Sequence, residues 1–315
     1  MALTYTELQS VATKLIEKNL AENVLNTNAL TARLSAPGKM KMRDGGELLS
    51  FPISIGDESD STGAWYTGAE GLDNTEYEAI SSAVFDWKNI HETIKISHPE
   101  LNKASGDSAK LDLLATRVKL GKEYLARRIG TAVHGGSGVK DFVGLSTIMS
   151  TTSTLGGVAV ADLPEWIATV LGNSSVDRAL TLSLIQSLDG GVTFDSERPH
   201  LHVGRQNIYD KLWSLVTPFQ RLEACDAGMA ELGFKNIPVI NGIPFIVDSK
   251  CAAKTIQAIN ENFLFLVAHS NENMKVVSHE NLEGSDAIQR RVFFMGALCC
   301  NGRRYQGSLT DILVS

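Results

Sequence analysis

DSAKLDLLATRVKLGKEYLARRIGTAVHGG, residues 107–136, indicates the fold most directly, because it has the strongest helical pattern in the chain. Asp107 or Ser108 can cap the beginning of a helix, and the glycines after His134 predict its end. Between these signals one apolar stripe recurs at helical spacing, at Leu111, Leu114, Ala115, Val118, Leu125, Ile129 and Ala132. From Ser108 to His134 the helix would be about 40 Å long at about 1.5 Å per residue, enough to form a spine.

The stretch before this helix, residues 44–86, differs in charge from the rest of the chain. It contains no lysine or arginine, and its acidic residues are Asp44, Glu47, Asp57, Glu58, Asp60, Glu70, Asp73, Glu76, Glu78 and Asp86. Apolar and polar residues alternate from Leu49 to Ile55, and a second alternating run begins at Phe85 and continues to Ile96. The pattern predicts a two-stranded ribbon with a long polar tip that contains Trp65 and Tyr66.

A ribbon of this kind is marginally stable alone in water. It must therefore pack on its own domain or on another subunit, and the pattern alone favours neither. Its one-sided charge suggests that the partner surface is basic. Four arginines are concentrated towards the C-terminus, at Arg290, Arg291, Arg303 and Arg304.

The remaining sequence predicts a mixture of helices and strands. Residues 4–16 combine capping-box spacing with an amphipathic pattern typical of a helix. Asn241-Gly242 predicts the turn of a hairpin over 239–248. Further helices are predicted at 162–170, 176–188 and 206–216. Further strands are predicted at 200–203, 263–268, 275–278, 292–298 and 303–306.

The composition is that of a globular protein, with 315 residues, 43% hydrophobic content and a formal net charge of −7. A negative charge argues against a protein whose main role is to bind nucleic acid, although it is compatible with a container for it. Four cysteines without a C-x-x-C pair indicate reduced thiols. The chain has neither a signal-peptide pattern after Met1 nor an apolar run of about 20 residues, so we expect no membrane association.

Candidate catalytic chemistry is sparse. His200 and His202 would lie on one face of a strand, as zinc ligands do, but no third ligand is identifiable. The chain has no G-x-S-x-G elbow and no cysteine–histidine pair in a recognisable context. We therefore predict no catalytic residues, no metal and no cofactor. A metal-dependent hydrolase built on His200 and His202 is the enzymatic alternative.

The order of these parts resembles the Hong Kong 97-type capsid subunit of tailed bacteriophages over nearly the whole chain. Three segments are similar in detail: 144–148 with Gly156-Gly157 and Pro164-x-Trp166; 226–248; and 293–307. The resemblance implies an α+β fold with four parts. These are an N-terminal arm (1–43), an extended β-hairpin loop (44–97), a peripheral domain with the spine helix and β-strands (98–140 and 270–315), and a mixed α/β axial domain (141–269).

The resemblance also implies a function, that of a major capsid protein without enzymatic activity. Copies would self-assemble into hexamers and pentamers of an icosahedral shell around double-stranded DNA, held without sequence specificity. The expected location is the virion, after assembly in the host bacterial cytoplasm. Expected partners are a portal protein and, because the arm is short, a separate scaffolding protein. The lysine–asparagine cross-link of some members is not expected, since no lysine lies between Arg43 and Lys88.

The implied sites are contacts between subunits. We expect the extended loop to contact a neighbour through Asp57, Glu58, Asp60, Trp65, Tyr66, Glu70 and Tyr77. We expect the basic strands of the peripheral domain to receive it through Arg290, Arg291, Arg303 and Arg304. An encapsulin-like nanocompartment, which shares the fold, and a tail-tube subunit are the structural alternatives.

Overall fold

The computed structural model describes residues 28–36, 39–54, 65–71, 80–97, 99, 107–216, 239–279 and 287–313. The predicted helix at 4–16 lies outside these residues, as do the predicted contacts Asp57, Glu58, Asp60 and Tyr77. Among the described helices, none is both long and apolar enough to cross a lipid bilayer.

The described elements are five α-helices and thirteen strands. The helices are α1 (Ala29–Leu34), α2 (Asp107–Gly135), α3 (Leu145–Ile148), α4 (Leu182–Val192) and α5 (Gln206–Val216). The strands are β1 (Lys41–Arg43), β2 (Leu48–Ser54), β3 (Ile80–Asp86), β4 (Lys88–Ser97), β5 (Thr169–Leu171), β6 (Leu201–Gly204), β7 (Val239–Ile240), β8 (Ile243–Val247), β9 (Ile256–Ile259), β10 (Leu264–His269), β11 (Lys275–His279), β12 (Ala287–Cys300) and β13 (Gly307–Leu309).

The predicted spine is confirmed as α2, whose bounds differ from the prediction by one residue at each end. Val118, Leu125 and Ile129 of its apolar stripe are buried. At Gly121 a Cβ atom would stand 2.9 Å from the side chain of Ile94, so this glycine lets β4 lie close against the helix. The helix ends at Gly135, within the predicted glycine pair.

A five-stranded sheet lies against the spine and is organised by β12. Strands β10 and β11 follow one another along one edge of β12, both antiparallel to it, and β4 runs antiparallel along the other edge. Strand β1 adds to β10 in parallel. Strand β4 was predicted as the second strand of the ribbon, and that prediction is wrong because β4 pairs with β12 over ten residues.

The ribbon itself is formed by β2 and β3, paired from Leu48↔Asp86 to Ser54↔Ile80. One face of β2 is buried, because Leu49, Phe51 and Ile53 point into the core that contains Phe265. The Phe51 and Phe265 rings lie 5.0 Å apart. The base of the ribbon is therefore anchored on its own chain.

A second sheet of six strands has the order β5-β13-β9-β6-β8-β7. Helices α4 and α5 pack on it around a core that includes Leu188, Leu212 and Phe245. The hairpin of β7 and β8 turns at Asn241 and Gly242, with φ values of 53° and 79°, which confirms the Asn-Gly prediction.

Three predicted elements are wrong in whole or in part. Residues 162–170 form turns and then β5, which pairs with β13. The helix predicted at 176–188 begins only at Leu182. Within the predicted range, Arg178 forms an isolated β-bridge with Ile312, and this extended pairing keeps the residues before Leu182 out of the helix. Arg303–Tyr305 is a 3₁₀-helix instead of a strand.

The two sheets do not follow the sequence order of the predicted domains, whose boundaries stay a prediction. Strand β10 was assigned to the axial domain, but it pairs with β12 in the sheet beside the spine. Strand β13 was assigned to the peripheral domain, but it lies inside the second sheet, between β5 and β9. The chain thus crosses between the two sheets more often than its sequence order indicates.

Candidate inter-subunit surfaces

The described tip of the ribbon is exposed along its whole length, residues 65–71. Trp65 has a relative exposure of 104% and Tyr66 of 64%. Glu70 is exposed and accepts a hydrogen bond from the backbone N–H of Thr67 at 3.2 Å. The described part of the chain therefore leaves two large aromatic side chains uncovered, which is typical of a surface that binds another molecule.

Arg303 does not offer a surface contact, and its prediction as one is wrong. The side chain is completely buried. Its guanidinium donates five hydrogen bonds to backbone carbonyls of Thr147, Ile148, Ser150, Ser153 and Trp166, and a sixth to the Ser153 hydroxyl. Burial lowers the pKa of Arg303, although the carbonyl cage satisfies the cation without a carboxylate. Its role is to hold the loop after α3.

The other three arginines differ in accessibility. Arg290 is buried at 2% exposure between Ile94 and Ser278, so its prediction as a surface contact is also wrong. Arg291 is half-buried on the same strand. Arg304 is half-buried, with its guanidinium 3.9 Å from the centre of the Phe194 ring and 3.4 Å from Glu165. Only Arg291 and Arg304 can therefore reach a neighbour.

The structure reveals a second surface with exposed cations, which also carries the carboxylates of Glu92 and Asp141 and which the ribbon argument missed. Beside the exposed face of α2 lies a groove of about 650 Å³, lined by Tyr124, Arg127, Arg128 and Lys250 among others. Arg128 lies 3.7 Å from Glu92, and its side chain is 65% exposed. The helical periodicity could have identified both residues as accessible, because Arg127 falls opposite the apolar stripe and Arg128 falls beside it.

The two histidines considered as metal ligands have separate roles. His202 is fully buried, and its Nε2 lies 2.7 Å from Oδ1 of Asp189 on α4. Asp189 also accepts a hydrogen bond from Asn241 at 3.0 Å. His200 precedes β6 and is half-buried. Within the described ranges, no group of three or more histidine, cysteine, aspartate or glutamate side chains is arranged to hold a metal ion.

The three described cysteines are buried and unreactive. Burial raises the pKa of Cys251 to about 12 and that of Cys300 to about 12, and it also raises the pKa of Cys299. A buried thiol with a raised pKa stays protonated and is a poor nucleophile. These three thiols are therefore not candidates for a nucleophile.

Neither a protein-family model nor a curated protein sequence matches the chain. Solved structures do match over most of its length. The cyanophage A-1(L) capsid protein is 16% identical with a TM-score of 0.68, covering 87% of this chain and 90% of that one. The capsid protein of the native GTA particle is 14% identical with a TM-score of 0.58, covering 89% and 90%.

The SrpI encapsulin of Synechococcus elongatus is also similar, at 10% identity and a TM-score of 0.55, covering 88% of this chain and 86% of that one. At these identities the likeness concerns the fold and leaves function to be argued from the surfaces. The chain has the Hong Kong 97-type capsid fold.

Proposed function

We propose that the chain is the major capsid protein of a tailed bacteriophage, a structural subunit without enzymatic activity. Copies form hexamers and pentamers, and these close an icosahedral shell around double-stranded DNA. The observation that carries the proposal is the ribbon, whose base is buried on its own chain while Trp65 and Tyr66 lie exposed at its described tip. The fold likeness to phage capsid subunits supports it.

The contact is formed by the extended loop of one copy on a neighbouring copy. Asp57, Glu58, Asp60, Glu70 and Tyr77 join the two exposed aromatic residues on the loop side. Single exposed ion pairs contribute only about 0–1 kcal/mol, so the aromatic side chains are the principal anchors. The acidic residues select a basic partner and set the orientation.

On the receiving side, the accessible cations are Arg291 and Arg304, together with the cations that line the groove beside α2. Arg127 and Arg128 project from a helix whose backbone is already ordered. Binding of a charged segment therefore costs little conformational entropy in the backbone of this receiving surface. Obligate interfaces bury about 2,000–5,000 Å², so this groove is one of several contacts in a shell.

Deleting 57–74, with a short Gly-Ser bridge in its place, tests the role of the ribbon. The subunit should remain soluble and unfold at nearly the same temperature, because the buried base of β2 and β3 is kept. Electron microscopy and sedimentation should then detect no closed shells. Normal particles from this deletion would contradict the proposal.

A charge reversal tests the receiving surface. Arg127→Glu with Arg128→Glu should weaken assembly and change its dependence on salt, since long-range attraction of the acidic loop is lost. Lys140→Glu is the matched control, because Lys140 is exposed but does not line the groove. Equal assembly by the Arg127/Arg128 variant and by the Lys140 variant would exclude the groove as the receiving surface.

The remaining partners follow from the same proposal. A portal protein, a separate scaffolding protein and packaged DNA accompany the shell, which is assembled in the bacterial cytoplasm and remains in the virion. The likeness to the SrpI encapsulin favours a nanocompartment shell as the second candidate. Particles that contain nuclease-protected double-stranded DNA identify a capsid, and particles that contain a protein cargo identify a nanocompartment.

A further inference from the structure

A cavity of about 330 Å³ lies at the root of the ribbon, beside the end of β2. Ser54 of β2 lines one side of it, and Trp166, Phe263 and Tyr305 contribute aromatic walls. The rings of Phe263 and Tyr305 are stacked, with their centres 4.2 Å apart and their planes at 9°. This cavity, called the root pocket below, is therefore a concave site with ordered aromatic walls, which suits a flat side chain.

Arg304 lines the root pocket with a guanidinium group that is already held in place. The group lies over the Phe194 ring, 3.9 Å from its centre, and 3.4 Å from a carboxylate oxygen of Glu165. The side chain is nevertheless 40% exposed, so a second ring can approach the guanidinium. Because Phe194 and Glu165 already restrain the rotamer, binding a ring there costs little side-chain entropy.

The lining of the root pocket has a positive charge balance. It contains two guanidinium groups, those of Arg303 and Arg304, and one carboxylate, that of Glu165. The hydrogen bonds of Arg303 go to neutral oxygen atoms, which satisfy its donors without neutralising its charge. The pocket therefore favours a partner that carries carboxylates beside an aromatic ring.

The described tip of the ribbon has this chemistry. Trp65 is fully exposed, and Tyr66 and Glu70 close to it are exposed as well. The tip belongs to residues 44–86, which contain carboxylates and no lysine or arginine. Tryptophan is also the aromatic side chain that attracts a cation most strongly. Because Trp65 is uncovered in its own copy, it is available to the root pocket of another copy.

We propose that Trp65 of one copy inserts into the root pocket of the next copy and packs on Arg304. The inference rests on the proposed function, since it names the site that receives the ribbon. Tip and root are different surfaces of one chain, so each copy offers its tip to one neighbour and its root pocket to another. Such a heterologous contact generates rings where the rotation between copies closes. One contact can thus serve both hexamers and pentamers.

Filling the root pocket tests this inference. Ser54 lines the pocket from the exposed face of β2, so Ser54→Trp should occupy it from within the same copy. The critical concentration for shell formation, measured by light scattering, should rise by about tenfold or more. Ser50→Trp is the matched control, because Ser50 lies on the same exposed face of β2 but does not line the pocket, and it should assemble like the wild type.

Equal assembly by the Ser54→Trp and Ser50→Trp variants would overturn the inference and leave the shell function intact. Failure of the wild type itself to form closed shells would overturn the proposed function, and the inference with it.

A double-mutant cycle identifies the occupant of the pocket. Trp65→Ala and Arg304→Ala remove the same contact, so combining them should raise the critical concentration no further than the more damaging single change. In the control cycle, Trp65→Ala with Arg291→Ala should show the product of the two single effects, because Arg291 does not line the pocket. A product of effects in the Arg304 cycle would mean that Trp65 binds elsewhere, and it would overturn the inference.

Discussion

Asn28 and Gly130 are in such close contact that a Cβ atom on Gly130 would stand 2.0 Å from Nδ2 of Asn28. The same Nδ2 donates a hydrogen bond to the carbonyl of Ala126 at 2.9 Å. Because Gly130 has no side chain, the spine helix leaves room for Asn28, the residue directly before α1.

Gly130→Ala should therefore displace Asn28 and destabilise the fold. Alanine favours a helix by about 1 kcal/mol relative to glycine, but overpacking and the lost hydrogen bond cost more. We expect a net loss of about 1–3 kcal/mol in the free energy of unfolding, measured by urea denaturation. Gly135→Ala is the control, because a Cβ there would meet nothing within 4 Å. A neutral Gly130→Ala would contradict the tight contact.

Replacing Arg303 with lysine should be severe despite the conserved charge. Lysine cannot reproduce the planar fork that serves five carbonyls, and it would leave several of them buried without a donor. We expect a loss of about 3 kcal/mol or more in the free energy of unfolding, or insoluble protein. Arg304→Lys, next to it but half-exposed, should cost less than about 1 kcal/mol. Similar effects of the two substitutions would refute the buried cage.

Trp65→Ser with Tyr66→Ser should separate assembly from folding. Both residues are exposed in the subunit, so its free energy of unfolding should change by less than about 0.5 kcal/mol. If they anchor the contact, the critical concentration for shell formation should rise by about tenfold or more, measured by light scattering. Val139→Ser, another exposed apolar residue at 76%, should assemble normally.

Asp248 is a buried carboxyl whose pKa lies below its usual value. Burial raises the pKa, but the nearby His134 and hydrogen bonds from the backbone N–H groups of Leu30 and Lys250, at 3.2 and 2.9 Å, outweigh burial. Asp248→Asn should therefore alter the response to acid. A carboxyl whose folded pKa is lowered stabilises the protein above its unfolded pKa of about 3.9, and this stabilisation is lost as the pH falls through the lowered value.

At pH 7 we expect Asp248→Asn to lower the free energy of unfolding by about 1–3 kcal/mol, measured by urea denaturation. The difference from the wild type should shrink below about pH 4. Asp86→Asn, at an exposed site, should show no such convergence.

The elements that the sequence predicted correctly are those with a strong local signal. The spine has a long apolar stripe with a cap and a glycine stop, and the hairpin at Asn241-Gly242 depends on two adjacent residues that tolerate left-handed φ values. Strand alternation identified β2 as well. It did not identify the partner of the run from Phe85 to Ile96, because alternation reveals the buried face of a strand and not its neighbour.

The wrong predictions for Arg290 and Arg303 also arose because a local pattern does not reveal contacts with distant residues. The local sequence around Arg303 predicts an accessible basic strand, but the carbonyls that enclose its side chain come from residues 147–166, far away along the chain. Charged side chains are buried only where distant groups happen to satisfy them. The accessible cations on α2 were visible in the helical pattern, once the helix was assigned.

By itself, the amino-acid sequence determined the spine helix, strand β2 and the hairpin at Asn241-Gly242, because helix stripes, strand alternation and turn residues are local properties. Only the tertiary structure decided that β4 pairs with β12, that Arg290 and Arg303 are internal, and that His134 meets Asp248. Those facts depend on contacts between residues far apart in the chain, which form when the two sheets pack around the spine helix.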